Sequence, residues 1–99
     1  MSYFFVYRPS VKADVKSAFS YYKSISPDLS RQFLSRIREA KINIARSPTG
    51  FQVKYKTVRM YLVKQFPYQI HYFVDDTKEQ IIILAIVHAY RNPGDYSNR

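Results

Sequence analysis

An unbroken apolar run from Ile81 to Val87 is the feature that most constrains how this chain can fold. Apolar residues occupy both alternating positions of the run, so a strand formed from it has two apolar faces. We therefore expect a central strand that is covered on both sides. The run is too short to cross a bilayer. Because 99 residues are close to the usual size of one domain, we expect a single domain over residues 1–99.

The first quarter of the chain predicts one strand and one amphipathic helix. Tyr3 to Tyr7 is aromatic and β-branched, which is typical of a strand, and Pro9 ends the pairing. Ser10 is the expected N-cap of a helix that continues to about Ile25. Its apolar residues recur at helical spacing, namely Val11, Val15, Ala18, Phe19 and Tyr22.

A second helix is predicted to begin directly after the first. Ser26 offers a cap, Pro27 suits the first helical position, and Asp28 complements the positive end of the helix dipole. The helix should continue to about Arg46. Its buried side is expected to contain Leu29, Phe33, Ile37, Ala40 and Ile44. With almost no loop between them, the two helices should form an antiparallel hairpin.

The chain after Gly50 has the alternating pattern of β structure. One face of the next strand should be buried and should consist of Val58, Met60 and Leu62. The opposite face would then consist of Arg59, Tyr61 and Val63. A continuous strand from Val53 would bury Lys54 and Lys56, so we expect a turn or bulge near Lys56 and Thr57.

Two further strands complete the predicted fold. Tyr68 to Val74 forms one of them, Asp75 to Lys78 is a polar turn, and the apolar run forms the last strand. The order is strand, two helices and three consecutive strands. It predicts an α+β domain in which a helical hairpin packs on one face of a mostly antiparallel sheet.

The composition excludes several classes of function. The chain has no cysteine and only two histidines, His71 and His88, so we expect neither a metal site nor a cofactor. The first residues lack the features of a signal peptide, which favours a cytoplasmic protein without a membrane partner. Sixteen Lys and Arg residues against seven Asp and Glu give a net charge of +9. This charge favours a polyanionic partner.

Three segments together carry a resemblance to a known family. Val58-Arg59 stands in the first hairpin strand, Phe66 to Tyr72 reads FPYQIHY, and Val87 to Pro93 reads VHAYRNP. With the order of elements, these segments resemble the RelE/ParE toxin superfamily of plasmid stabilization proteins. The resemblance implies the toxin of a bacterial type II toxin–antitoxin pair, with a cognate antitoxin as partner. RelE-like members cut messenger RNA on the ribosome, and ParE-like members poison DNA gyrase.

RNA cleavage without a metal requires cations at the phosphate and a proton donor for the leaving oxygen. Arg59 and Arg91 are the candidate phosphate-stabilising catalytic residues, with Lys54 and Lys56 as further phosphate-binding residues. His88 is the candidate for proton transfer, and Tyr96 is a candidate stacking or acid group. On this basis ribosome-dependent cleavage of messenger RNA is the expected activity, and inhibition of DNA gyrase is the alternative.

Other interpretations of the same residues stay open. Gln69 occupies a position where RelE-like nucleases are expected to have an arginine. Arg59 could pair with an acid on a neighbouring strand, Lys54 and Lys56 could be solvated, and His71 could be a half-buried structural residue. The chain could also be a non-catalytic module for nucleic acid or for an acidic antitoxin segment. A basic stripe on the second helix would serve such a module, namely Arg31, Arg36, Arg38, Lys41 and Arg46.

Overall fold

The computed structural model describes residues 3–90. Two helices and five strands follow one another in the order β1, α1, α2, β2, β3, β4, β5. The elements are β1 (Phe4–Tyr7), α1 (Pro9–Ile25), α2 (Pro27–Arg46), β2 (Val53–Tyr55), β3 (Val58–Leu62), β4 (Tyr68–Asp75) and β5 (Gln80–His88). The α+β class, the helical hairpin and the C-terminal ends of both helices are confirmed. The short strand β2 adds a fourth strand to the three that the sequence predicted after the helices.

The five strands form one mixed sheet in the order β1-β5-β4-β3-β2. β1 runs parallel to β5, and every other pair is antiparallel. β5 therefore lies inside the sheet between β1 and β4, as its apolar run predicted. The face of β5 beneath the helices is buried at Ile81 and Ile83. The other face is covered only in part, because Ile82 and Leu84 are half-buried whereas Ala85 and Val87 are buried.

The caps of the two helices differ. Ser26 caps α2 through its side-chain oxygen, which accepts a hydrogen bond from the Leu29 amide at 3.3 Å, as the sequence predicted. The prediction of Ser10 as the cap of α1 is wrong, because α1 begins at Pro9, two residues before the start that a cap at Ser10 implies. The N-cap residue is Arg8, and it makes no side-chain capping bond. Proline's fixed φ suits the first helical position without help from a cap.

The buried face of β3 is opposite to the predicted one. Tyr61 and Val63 belong to the core beneath the helices, and Leu62 is 60% exposed. Val58 alone of the predicted set is buried, on the face opposite to Tyr61. Arg59 has the same parity as Tyr61, so it lies on the face that the helices cover. The predicted turn is confirmed, since Lys56 occupies it with a φ of 49° and a register shift occurs between Val53 and Tyr55.

A bulge in β5 sets the direction of its last residues. The pairing with β4 shifts between His71 and Tyr72, which leaves one extra residue on β5. The Asp14 side chain of α1 accepts a hydrogen bond from the Ile86 amide at 3.0 Å, beside this bulge. The bulge returns Ile86, and therefore His88 two residues later, to the face beneath the helices.

Candidate functional site

Arg59 is held by the backbone at the β2–β3 end of the sheet. Its Nη1 donates a hydrogen bond to the Phe51 carbonyl oxygen at 2.7 Å. Tyr72 lies opposite Arg59 on β4 and donates from its hydroxyl to the Pro48 carbonyl oxygen at 2.7 Å. Burial raises the pKa of Tyr72 to about 12, and the nearby Arg59 charge opposes this shift. Arg59 therefore helps to fasten the segment after α2, and this partner is a carbonyl rather than the acid that the sequence suggested.

Lys54 and Lys56 lie near Arg59 along the chain and are exposed. We call Phe51, Lys54, Lys56 and Arg59 the hairpin end of the sheet. The two lysines have no ion-pair partner among residues 3–90. The hairpin end thus contains two solvated cations and one cation that is already bound to the backbone.

His88 lies at the other end of the sheet. It pairs with Tyr68 on β4, and the two rings meet edge to face with centroids 5.3 Å apart. Its Nδ1 accepts a hydrogen bond from the Tyr90 amide at 3.2 Å, which assigns the ring proton of a neutral histidine to Nε2. His88 is half-buried, so Nε2 is the part of the ring that could act on a partner.

Strand register separates Arg59 from His88. Arg59 pairs with Tyr72 and His88 pairs with Tyr68, so four residues of β4 and two strand spacings lie between them. At about 3.3 Å per residue and about 4.8 Å per spacing, their Cα atoms are about 16 Å apart. The sheet therefore does not bring the two residues together around one phosphate group.

Arg91 and Tyr96, the remaining predicted catalytic residues, lie outside the described residues. Arg91 is three residues after His88 in the sequence. Of the predicted site, His88 and Arg91 are thus close in sequence, and Arg59, Lys54 and Lys56 are gathered elsewhere.

Gln69 and His71 lie on the face of the sheet that the helices do not cover. His71 is only 2% exposed, which makes it more deeply buried than the sequence suggested. Its Nε2 lies 3.0 Å from the Gln69 side-chain oxygen. An amide at position 69 supplies a neutral partner for this histidine, where an arginine would bring a charge.

The structure adds a surface that sequence reasoning missed. Ring contacts connect Tyr21 to Tyr22, Tyr22 to Tyr68, Tyr68 to His88 and His88 to Tyr90. The two outer rings face solvent, with Tyr21 60% and Tyr90 83% exposed. Burial and the neighbouring Tyr68 raise the pKa of Tyr22, in the middle of the series, to about 12.

Ile25 adds an aliphatic side chain to this surface, one helical turn after Tyr21, and is 59% exposed. We call Tyr21, Ile25, His88 and Tyr90 the aromatic end. The signal in the sequence was Tyr21, a large aromatic residue beside the apolar stripe of α1, and Ile25, which continues that stripe at the last residue of the helix.

The basic stripe of α2 is divided among different partners. Arg31 forms an ion pair with Asp28, and Arg36 pairs with Glu39 and donates to the Gln65 side chain. Lys41 lies over the rings of Phe5 and Tyr7, with its Nζ 5.4 and 5.0 Å from the ring centroids. This division weakens the interpretation of α2 as a continuous track for a phosphate backbone.

Metal ligands and membrane spans were searched within residues 3–90. This part of the chain contains no group of three or more histidine or acidic side chains that could hold a metal ion. Neither of its helices combines the length and the apolar character that a bilayer crossing requires.

Comparison with families and curated proteins identifies a family and a relative. The model of the family described as the ParE toxin of the type II toxin–antitoxin system parDE matches residues 5–93. A protein named Toxin ParE2 from Mycobacterium tuberculosis is 32% identical over 85 residues, which cover 85% of this chain and 79% of the relative.

Solved structures share the fold at lower identity. A chain of the chromosomal ParDE system from P. aeruginosa superposes with a TM-score of 0.75 at 18% identity, covering 88% of this chain and 96% of that chain. The E. coli RelE toxin superposes with a TM-score of 0.60 at 12% identity, covering 95% and 92%. A chain of the toxin–antitoxin complex RelBE2 from Mycobacterium tuberculosis gives 0.59 at 15% identity, covering 89% and 99%.

Proposed function

Because this chain belongs to the ParE toxin family of type II toxin–antitoxin systems, we propose that it inhibits DNA gyrase and is neutralised by a cognate antitoxin. Inhibition of gyrase is what the resemblance to ParE-like members implies. Both the target and the antitoxin of such a toxin belong to the bacterial cytoplasm.

One observation carries the choice of gyrase over messenger RNA. Metal-independent cleavage requires cations and a proton donor around a single phosphate. Here Arg59 donates to the Phe51 carbonyl, and strand register puts its Cα about 16 Å from that of His88. A toxin that acts by binding a protein does not need these side chains to meet.

The aromatic end supports a protein target. Protein interfaces are enriched in aromatic side chains, and a few such residues usually dominate the binding energy. Tyr21, Ile25 and Tyr90 are exposed at this end, while Tyr22 and Tyr68 beneath them are buried and fix the positions of the outer rings. A rigid aromatic surface loses little conformational entropy when it binds.

The test is a supercoiling assay with purified gyrase and the full chain. Wild-type protein is expected to inhibit supercoiling. The double variant Tyr21→Ala/Tyr90→Ala should require about 30-fold more protein for the same inhibition, which corresponds to about 2 kcal/mol of binding energy. Tyr55→Ala is the matched control, because Tyr55 is an exposed tyrosine of β2 at the hairpin end.

A translation reaction tests the alternative activity, which is cleavage of messenger RNA. The chain and its Arg91→Ala variant are added to a bacterial translation reaction, and new 5′ ends of the messenger RNA are mapped. Cuts that need ribosomes and disappear in the Arg91→Ala variant, together with unaffected gyrase, would overturn the proposal in favour of RNA cleavage. Intact messenger RNA together with inhibited gyrase is the expected result.

A further inference from the structure

A pocket of about 320 Å³ lies between α2 and β1, which is an edge strand of the sheet. Phe5 lines it on the side of β1, and α2 contributes Arg38, Lys41, Ile42 and Ala45. Ala45 carries only a methyl group, which leaves room beside the Phe5 ring. The volume is at the lower end of the roughly 300–1,000 Å³ that small-molecule sites occupy. We call this site the β1–α2 pocket.

Two aromatic rings of β1 give the pocket a flat apolar wall. Phe5 and Tyr7 are two residues apart, so their side chains are on the same face of the strand. The ring planes are within 16° of parallel, and the centroids are 6.1 Å apart. The Lys41 ammonium group lies over both rings. Because a lysine keeps its charged end in water, the ring faces beneath it are open to solvent.

The two cations of the pocket have no acidic partner. Arg38 and Lys41 form no ion pair among residues 3–90. The described residues that line the pocket include no acid. The two acids of α2, Asp28 and Glu39, are paired with other cations. Arg38 and Lys41 are one helical turn apart, so the pocket offers two neighbouring positive charges beside two ring faces.

A nucleotide with an unpaired base matches these groups. A base has a flat face that stacks on aromatic rings. It can also pack against Ile42, which is 57% exposed. Phosphate is an anion that both an arginine fork and a lysine ammonium group bind well. In a duplex the bases stack on one another, so only a single strand can place a base on the rings of Phe5 and Tyr7.

Other occupants use only some of these groups. An acidic peptide would pair with Arg38 and Lys41, but its carboxylate groups are repelled by the negative face of an aromatic ring. A fatty acid has one anionic head group and would leave one cation without a partner. A second copy of this chain carries the same net charge of +9, which opposes association.

We infer that the β1–α2 pocket binds a nucleotide of single-stranded nucleic acid, with the base against Phe5 and Tyr7 and the adjoining phosphates on Arg38 and Lys41. The inference goes beyond the proposed function, because none of these residues belongs to the aromatic end or to the hairpin end. It also differs from a continuous phosphate track along α2, since it uses two of the cations and depends on the rings.

The test measures binding of fluorescein-labelled oligothymidylate, about 12 nucleotides long, to the full chain by fluorescence anisotropy. The salt concentration is about 0.15 M, where charges more than about 8 Å apart are largely screened. Two ligands serve as comparisons, namely a duplex of the same length and inorganic polyphosphate of similar charge. The single strand should bind at least tenfold more tightly than either. No gyrase is present, so the result does not depend on the proposed target.

Two double variants test the rings. Phe5→Leu/Tyr7→Leu keeps apolar side chains but removes the stacking surface, so binding of the single strand should weaken by about tenfold or more. Phe4→Leu/Tyr55→Leu is the matched control, because it also replaces one phenylalanine and one tyrosine, both at exposed positions of the edge strands. It should change binding by less than about twofold. Circular dichroism confirms that each variant is folded.

Tyr7→Leu alone provides a milder test of the same surface. Tyr7 is 43% exposed, so this single variant should fold even where the double variant does not. It should weaken binding of the single strand by about threefold, because one of the two rings remains.

Two further double variants with equal charge change test the cations. Arg38→Gln/Lys41→Gln should weaken binding by about tenfold. It should also reduce the slope of log affinity against log salt concentration by about 1.4, because two phosphate contacts of a single strand are lost. Lys54→Gln/Lys56→Gln, at the hairpin end, should change the affinity by less than about twofold.

Any of four outcomes would overturn the inference. Equal weakening in the two charge variants would mean that only net charge attracts the strand. An affinity that does not change in the ring variants would exclude base stacking in the pocket, and so would a duplex that binds as tightly as the single strand. Oligoglutamate that displaces the strand and binds at a lower concentration would assign the pocket to an acidic protein segment.

Discussion

The two ends of the sheet differ in what their polar and aromatic groups contact. At the hairpin end, Arg59 donates a hydrogen bond to the Phe51 carbonyl oxygen, and the neighbouring Tyr72 hydroxyl donates one to the Pro48 carbonyl oxygen. Both acceptors belong to the segment that follows α2. At the aromatic end, a series of packed rings continues to Tyr21 and Tyr90, whose outer surfaces face solvent. Residue type alone would assign function to the arginine and packing to the tyrosines. Their partners in the fold favour the opposite assignment, which the proposed function adopts.

The largest expected effect concerns the packing that supports the aromatic end. Phe33 is fully buried and contacts the rings of Tyr22, Phe66 and Tyr68. Phe33→Ala should lower the free energy of unfolding by about 4 kcal/mol, because it leaves a cavity among these rings. Urea denaturation measures this change. Leu62→Ala, at a 60% exposed position, should change it by less than about 0.5 kcal/mol, and a similar loss in both variants would contradict the assigned core.

Arg59→Ala tests whether the hairpin end is structural. The variant should lose about 2 kcal/mol of stability, because it removes a charged donor from the Phe51 carbonyl. Its gyrase inhibition per folded molecule should equal that of the wild type. A stable variant without inhibition would return Arg59 to the functional site and break the comparison between the two ends.

The Tyr72→Phe variant tests the structural role of the hairpin end a second time, through the dependence of folding stability on pH. Removing the hydroxyl should cost about 1 kcal/mol, because the Pro48 carbonyl loses its donor. The folded protein keeps Tyr72 protonated up to a pKa of about 12, against an ordinary value of 10.0. The folded state therefore binds more protons than the unfolded state above pH 10, and stability falls as the pH rises from 10 towards 12.

Tyr22 has the same raised pKa, so Tyr72→Phe should reduce this alkaline loss of stability without removing it. Denaturation curves at pH 8 to 11 measure the slope. An identical slope in the variant and the wild type would show that Tyr72 is not protected from water in solution.

The smallest expected effects on stability come from glycine substitutions at Lys56 and Lys54, and the two effects should differ in sign. Lys56 occupies the turn at a φ of 49°, where a side chain is strained and glycine is not. Lys56→Gly should therefore leave stability unchanged or raise it by up to about 1 kcal/mol. Lys54→Gly, within β2, should lower it by about 0.5 kcal/mol. Thermal unfolding of the two variants checks the difference, and equal shifts would argue against the turn at Lys56.

Local patterns predicted the helices better than the strand faces. Ser26, Pro27 and Asp28 act within a few residues of one another, so the start of α2 was readable from the chain. In β3 both alternating sets contain apolar residues, and neither pattern shows which set the helices will cover. The prediction chose Val58, Met60 and Leu62, whereas the helices cover Tyr61 and Val63.

The sequence supplied the residue types of a candidate site, whose roles stay predictions, but it did not supply their arrangement. Arg59 and His88 were assigned to one site from the chemistry of RNA cleavage, without any distance between them. Register across three strands sets that distance, and register depends on pairings between residues far apart in the chain. Tyr21 and Ile25 were overlooked because only the assembled surface shows that nothing between residues 3 and 90 covers them.

The sequence by itself determined the α+β class, the central place of β5, the helical hairpin and the strong positive charge. These properties depend on short-range periodicity, capping and composition. The tertiary structure decided the partner of Arg59, the separation of the two sheet ends, and the pocket between β1 and α2. Each of these depends on which surfaces meet, because a hydrogen bond or a cavity exists only where distant segments are brought into contact.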